Sequence, residues 1–110
     1  MKTAKNTTSP PGPLVHFIGI GGIGTSALAR LFLSQKWAVS GSDIAPSKIT
    51  QELQKEGIKV KIGHKKANLT PNTSLVIYNQ AIPFQNPELR EAKRKNIPVF
   101  SYPEAIGELT

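Results

Sequence analysis

Gly19, Gly21 and Gly24 stand at G-x-G-x-x-G spacing, directly after the apolar run Leu14-Val-His-Phe-Ile18 and directly before a helical pattern. In that context the first glycine permits a tight turn, the second lets backbone approach a ligand, and the third lets helix pack closely on strand. Gly22 adds another position without a Cβ, and Ile20, Ile23 and Thr25 complete the turn. The first N–H groups of the following helix lack intrahelical acceptors and together carry about half a positive charge, so a pyrophosphate placed there is held by hydrogen bonds and dipole at once. A plain βα turn with no ligand is the alternative, since glycines also serve turns. If the cradle is real, Gly21→Val fills the anion's place and abolishes nucleotide binding while leaving the domain folded.

Three further groups fall where such a turn needs them. Ser42 and Asp43 end a second apolar segment, and Asp43 lies 24 residues after Gly19, near where an acidic residue accepts from a nucleotide's ribose or base. Its competing reading is a cap or turn residue ahead of Pro46. His64 follows Gly63 just past a third segment, a position facing the ligand crevice, although an exposed loop histidine fits equally well. Asn79, Gln80 and Ala81 follow a fourth segment at the same edge. His16 interrupts the first strand with no partner nearby in sequence and reads as a half-buried or edge-facing residue. No catalytic or metal-ligating set emerges.

The elements that must position these groups follow from periodicity. Ile23, Ala27 and Leu31 recur at i, i+4 and i+8, with Leu28 and Phe32 alongside, which predicts an amphipathic first helix. Strands are expected at 14–18, 37–41, 58–62, 75–78 and 98–101, the third nearer the sheet edge because Lys59 and Lys61 alternate with apolar residues. A second helix is expected from Pro46 to Glu56, stopped by Gly57. Only twelve residues separate Ile62 from Leu75, room for one short crossover helix at most. Asn86 caps a further helix with Pro87 in its first turn, Glu88 at its positive end and Lys93-Arg94-Lys95 at its negative end. A last helix starts near Pro103. Alternating strands and helices specify an α/β fold, a Rossmann-like doubly wound sheet of five parallel strands in the order 3-2-1-4-5.

Composition narrows the classes. The 110 residues suit one domain, with residues 1–13, rich in Thr, Ser, Pro and Gly, expected as a flexible leader and 14–110 as the folded unit. There is no cysteine, which excludes a disulfide framework, a Cys-ligated metal and a thiol nucleophile. No run approaches the roughly 18 apolar residues of a membrane span, and no signal-peptide core is present, so a cytoplasmic location is expected. The net charge of +7 suits an anionic ligand. The basic residues are scattered over helix ends and loops without interleaved aromatics or a recognition-helix motif, which argues against nucleic acid.

His16-Phe-Ile-Gly-Ile-Gly-Gly-Ile-Gly24, Ser40-Gly-Ser-Asp43, Gly63-His64, Ala81-Ile82, Asn86-Pro-Glu88 and Pro103-Glu-Ala-Ile-Gly-Glu-Leu109 together resemble, in order and spacing, the N-terminal domain of the Mur ligases. Within that family the resemblance is strongest to the branch that joins L-alanine to UDP-N-acetylmuramate. It implies an ATP-dependent ligase of peptidoglycan synthesis, which activates the lactyl carboxylate as an acyl phosphate for attack by the amine of L-alanine. It implies three domains, the N-terminal one holding UDP, a central one ATP and magnesium, and a C-terminal one supporting the amino acid. Carried over, the turn from Gly19 to Gly24 with Thr25 would hold the UDP pyrophosphate, and Ser42, Asp43, His64, Asn79, Gln80 and Ala81 would surround the uridine end. Asn79-Gln80 stands where the family usually has Ser-Ser or Ser-Pro, so that loop offers amides in place of hydroxyls. No G-x-x-x-x-G-K-[ST] occurs, so these residues are expected to bind substrate and to catalyse nothing alone. An NAD-binding domain of a dehydrogenase and a nucleotide-sensing regulatory module remain as alternatives, because the glycine turn and Asp43 suit them too.

Overall fold

A computed structural model describes residues 12–109. Most of the expected leader, residues 1–11, lies outside the described residues. Gly12 and Pro13 are exposed, and the Pro13 carbonyl accepts from the Ala38 N–H at 2.9 Å.

Five parallel strands, β1 (Leu14–Ile18), β2 (Ala38–Asp43), β3 (Lys59–Ile62), β4 (Thr73–Tyr78) and β5 (Val99–Ser101), form one sheet in the order β3-β2-β1-β4-β5. Helices α1 (Ile23–Ser34), α2 (Lys48–Lys55), α3 (Pro87–Arg94) and α4 (Tyr102–Leu109) connect or follow them. The crossover from β3 to β4 holds one 3-10 turn, Lys66–Asn68. All five residues of β1 are buried, as the central strand of a sheet covered on both faces must be. The strand order reverses at β1, since β2 lies on one side of it and β4 on the other, and this leaves a crevice at their carboxyl ends, where open α/β sheets bind ligands.

Strand alternation divides the core. Val15 and Phe17 face α1, packing with Leu28, Phe32, Val39, Leu53 and Ile77, and the Phe17 and Phe32 rings meet edge to face at 5.9 Å between centroids. Ile18 and Val76 face α3, packing with Leu89 and Ala92. His16 shares the α3 face with Ile18, and in-register pairing of His16 with Ser40 and Ile18 with Ser42 puts both serines there too.

Several expectations change. The buried face of α1 is Thr25, Ser26, Leu28, Ala29 and Phe32, whereas Ile23 and Leu31 are exposed and so is Ala27. The stripe drawn through Ile23, Ala27 and Leu31 thus points outward. A hydroxyl is small enough to sit against the sheet when it bonds backbone, as Thr25 and Ser26 do, and apolar periodicity does not register them. Helix α2 begins two residues after Pro46 because Ser47 caps it: the Ser47 hydroxyl accepts from Thr50 N, and Thr50 Oγ1 accepts from Ser47 N. Strand β2 runs on through Asp43, since Ser42 and Asp43 still pair with Lys61 and Ile62 of β3. His16 is fully buried, not half-buried or at an edge, because β1 is central and partners come from distant segments.

Candidate functional site

The glycine turn is closed by backbone before any ligand is considered. Gly19 N and Ile20 N both donate to the Ser42 carbonyl, at 2.9 and 3.0 Å. The Thr25 hydroxyl lies 2.9 Å from the Gly19 carbonyl and 3.2 Å from that of Gly22. Gly19 has φ +80°, the left-handed region that a side chain disfavours. Gly22 is the N-cap of α1 and no side chain caps it, so the first turn of the helix offers its N–H groups toward the crevice.

Asp43 clamps this turn to β2. Its Oδ2 accepts from Gly21 N at 2.7 Å and its Oδ1 from Ile44 N at 2.8 Å. A Cβ on Gly21 would lie 2.7 Å from Asp43 Oδ2 and 3.2 Å from Thr50 Cγ2. Gly21 therefore makes room for the clamp as well as for a ligand, and Gly21→Val is no longer expected to leave the fold untouched. Gly24 also has a different neighbour from the strand expected: a Cβ there would come within 2.7 Å of the Tyr102 ring on α4. On the other wall, Asn79 Oδ1 accepts from Ala81 N at 2.9 Å, which aims the Asn79 amide nitrogen at the turn. A Cβ on Gly22 would sit 2.4 Å from that nitrogen.

A cleft of about 630 Å³ opens over these groups, lined by Gly19, Gly21, Gly22, Asp43, Ile44, His64, Asn79, Ala81, Ile82, Pro83, Gln85, Asn86 and Pro87. The volume lies in the range of small-molecule sites. Two helix N-termini border it, that of α1 at Gly22 and that of α3 at Asn86-Pro87, so both dipoles favour negative charge inside. Of the residues singled out from sequence, Gly19, Gly21, Gly22, Asp43, His64, Asn79 and Ala81 line this cleft. Ile20 is buried in the core beneath the turn. Gly41 is what admits it, for a Cβ at that position would lie 2.5 Å from the Ile20 side chain. Ile23 is exposed, while Thr25 and Ser42 are buried. Gln80 lines a neighbouring cleft with Tyr78, Phe84 and Glu104.

Glu88 is the residue that sequence reasoning used only as a helix-dipole partner. It is fully buried, and its carboxylate gathers four segments. Oε1 accepts from His16 Nε2 at 2.7 Å and from the Ser42 hydroxyl at 2.6 Å. Oε2 accepts from Lys65 N at 3.0 Å and Asn68 Nδ2 at 2.8 Å. His16 Nδ1 stands 2.7 Å from Ser40 Oγ, and His64 Nδ1 stands 2.9 Å from Ser42 Oγ. Burial alone would push the Glu88 carboxyl upward, but hydrogen bonds from His16, Ser42 and Asn68 outweigh it and hold the pKa below the ordinary glutamate value. The carboxylate is thus a fixed anion that ties the His64 loop, β1 and β2 to the start of α3. The available signal was the pair of inward-facing polar residues on adjacent strands, His16 and Ser42, which demand a buried partner.

Among the described residues no helix is long and apolar enough to cross a membrane. The chain is 53% identical over 92 residues to a UDP-N-acetylmuramate–L-alanine ligase of Campylobacter jejuni, a match covering 84% of this chain and 21% of that protein. It is 48% identical over 94 residues to the ligase of the same name from Aquifex aeolicus, covering 86% and 20%. It therefore spans about a fifth of the length of these curated relatives. The crystal structure of UDP-N-acetylmuramate–alanine ligase MurC from Thermotoga maritima superposes with a TM-score of 0.82 at 34% identity, covering 86% of this chain and 22% of that one. These likenesses do not favour a dehydrogenase or a free-standing sensor. The model of the Mur ligase family, catalytic domain, matches residues 14–110, and with nearly all of its length accounted for by that match the chain belongs to the Mur ligase family.

Proposed function

We propose that the chain is the N-terminal, UDP-sugar-binding domain of an ATP-dependent UDP-N-acetylmuramate:L-alanine ligase of peptidoglycan synthesis, working in the cytoplasm. The observation that carries the reading is the cleft itself: the uncapped N-terminus of α1 and a Cβ-free turn converge at the carboxyl edge where the strand order reverses, with the start of α3 on the facing side. The similarity to L-alanine ligases adds the substrate. On this reading the turn from Gly19 to Gly24 and the Asn79 amide hold the diphosphate. Asp43, Ile44 and His64, at the ends of β2 and β3, take the uridine. Both oxygens of Asp43 already accept one backbone N–H, and each keeps a lone pair for a ribose hydroxyl. ATP and magnesium are assigned to a central domain and L-alanine to a C-terminal one, so residues 14–110 position the substrate whose carboxylate is activated elsewhere.

The test is an NMR titration of the isotopically labelled chain with UDP-N-acetylmuramate, with NAD and ATP as comparators. Saturable shifts at Gly19 to Thr25, Asp43, His64 and Asn79 with the UDP-sugar alone are the expected result. Binding of NAD alone at those positions, or no binding at all, overturns it.

A further inference from the structure

The Ser42 hydroxyl has one hydrogen and two neighbours that compete for it, Glu88 Oε1 at 2.6 Å and His64 Nδ1 at 2.9 Å. An ionised carboxylate has no hydrogen to give, so the Ser42 hydrogen must point at Glu88. The contact to His64 then requires a hydrogen on Nδ1, donated to the Ser42 oxygen. Glu88 cannot turn away from this duty, because its other contacts, to His16, Lys65 N and Asn68, hold both oxygens in place. His64 Nδ1 is 3.6 Å from Glu88 Oε2, too far for a direct hydrogen bond, so the Ser42 hydroxyl is the link between them. The imidazole lines the cleft with its Nδ1 edge turned inward, leaving Nε2 on the side away from Ser42.

We propose that Glu88, acting through the Ser42 hydroxyl, is a positioning residue that sets the neutral His64 ring as its Nδ1–H tautomer, so that Nε2 meets the ligand as an acceptor of a nucleoside N–H or O–H. A neutral histidine side chain free in water prefers the opposite tautomer, with the hydrogen on Nε2. The buried relay reverses that preference and with it the kind of group His64 selects. A phosphate oxygen offers no hydrogen to such an acceptor, whereas a ribose hydroxyl or the ring N–H of a uracil does. His64 thereby reads the nucleoside end and leaves the anion to the turn and helix termini. The ligand half of this inference rests on the nucleoside-diphosphate reading of the cleft; the tautomer half does not.

Long-range nitrogen–proton correlation spectra of the labelled chain identify which nitrogen of the neutral His64 ring is protonated. Protonation on Nδ1 in the wild-type chain is expected, and protonation on Nε2 overturns the proposal with no variant needed. Ser42→Ala, checked for a dispersed folded spectrum, is expected to return His64 to the Nε2–H form and to weaken UDP binding roughly five- to tenfold, the share of one buried hydrogen bond. An unchanged tautomer in that variant overturns the relay. UDP methylated at the uracil N3 and 2′-deoxy-UDP then identify the donor. One of them is expected to bind the wild-type chain more weakly while losing nothing further in Ser42→Ala, and equal binding of UDP and both analogues overturns the acceptor role. Failure of UDP to bind a wild-type chain that shows the Nδ1–H form counts against the nucleoside-diphosphate reading and leaves the relay standing.

Discussion

A glutamine at position 88 would turn one of the two carboxylate oxygens into a donor facing other donors, either His16 Nε2 at the Oε1 position or Lys65 N and Asn68 Nδ2 at the Oε2 position. Glu88→Gln is therefore expected to destabilise the fold by about 3 kcal/mol, within the range for breaking a buried charged network, measured by urea denaturation. The wild-type chain also carries a pH signature. Because the folded pKa of Glu88 lies below the ordinary value of 4.5, its contribution is fully present above that value. It is lost as pH falls through the lower folded pKa. The urea midpoint of the wild-type chain should drop across that acid window, and the glutamine variant should lack this share of the drop. The glycines make a second contrast. Gly21→Val strikes the Asp43 clamp and is expected to lose both UDP binding and about 1–3 kcal/mol of stability. Gly22→Ala meets the movable end of Asn79 and the Thr25 hydroxyl. It should retain stability to within about 1 kcal/mol, while displacing the Asn79 amide and weakening binding. Paired melts and UDP titrations of the two variants separate these outcomes.

At the scale of elements, α3 is more than a cover for the sheet. Its N-cap, Asn86, is buried and accepts from Glu88 N at 2.9 Å and Leu89 N at 3.3 Å. The same cap thus holds the helix start that carries the Glu88 carboxylate. Asn86→Ala is expected to lower stability by about 1–2 kcal/mol and to perturb the His64 resonances, although the two residues are on different elements. Helix α1 ends differently. Lys36 follows its C-cap with φ 74°, a conformation suited to glycine. Lys36→Gly is expected to raise stability by roughly 0.5–1 kcal/mol, the relief of left-handed strain less the extra chain entropy of glycine, read as a higher thermal midpoint.

For the whole molecule, the net charge of +7 adds a long-range attraction to the local one in the cleft. UDP affinity is expected to fall several-fold as salt rises from tens of millimolar to a few hundred, since the Debye length shrinks from tens of ångströms to a few. Isothermal titration at a series of salt concentrations checks this. Uridine, which has no phosphate, should show a much weaker salt dependence. The two cores on either face of the sheet meet through β1 and its neighbours, whose carboxyl ends form the floor of the crevice.

How much of this was legible beforehand depends on the range of the interaction. The five strands, the glycine turn, the Asn86-Pro87 start of α3 and the strand order all follow from periodicity, short-range capping and the right-handedness of parallel crossovers, which neighbouring residues carry in their own chemistry. Asp43 and His64 were placed at the carboxyl edge for the same reason. The polar pair His16 and Ser42 signals that a buried partner exists, but not that it is Glu88, since His16 and Glu88 stand 72 residues apart and come together only when β1 and α3 pack. Likewise the outward turn of Ile23 and Leu31 was decided by which face of α1 met the sheet, where bonded hydroxyls displaced apolar side chains. Local patterning along the chain thus carries the fold, the carboxyl edge where the cleft opens and the family. The direction in which each polar group points comes from packing between remote elements, because a hydrogen bond between distant segments has no local signature.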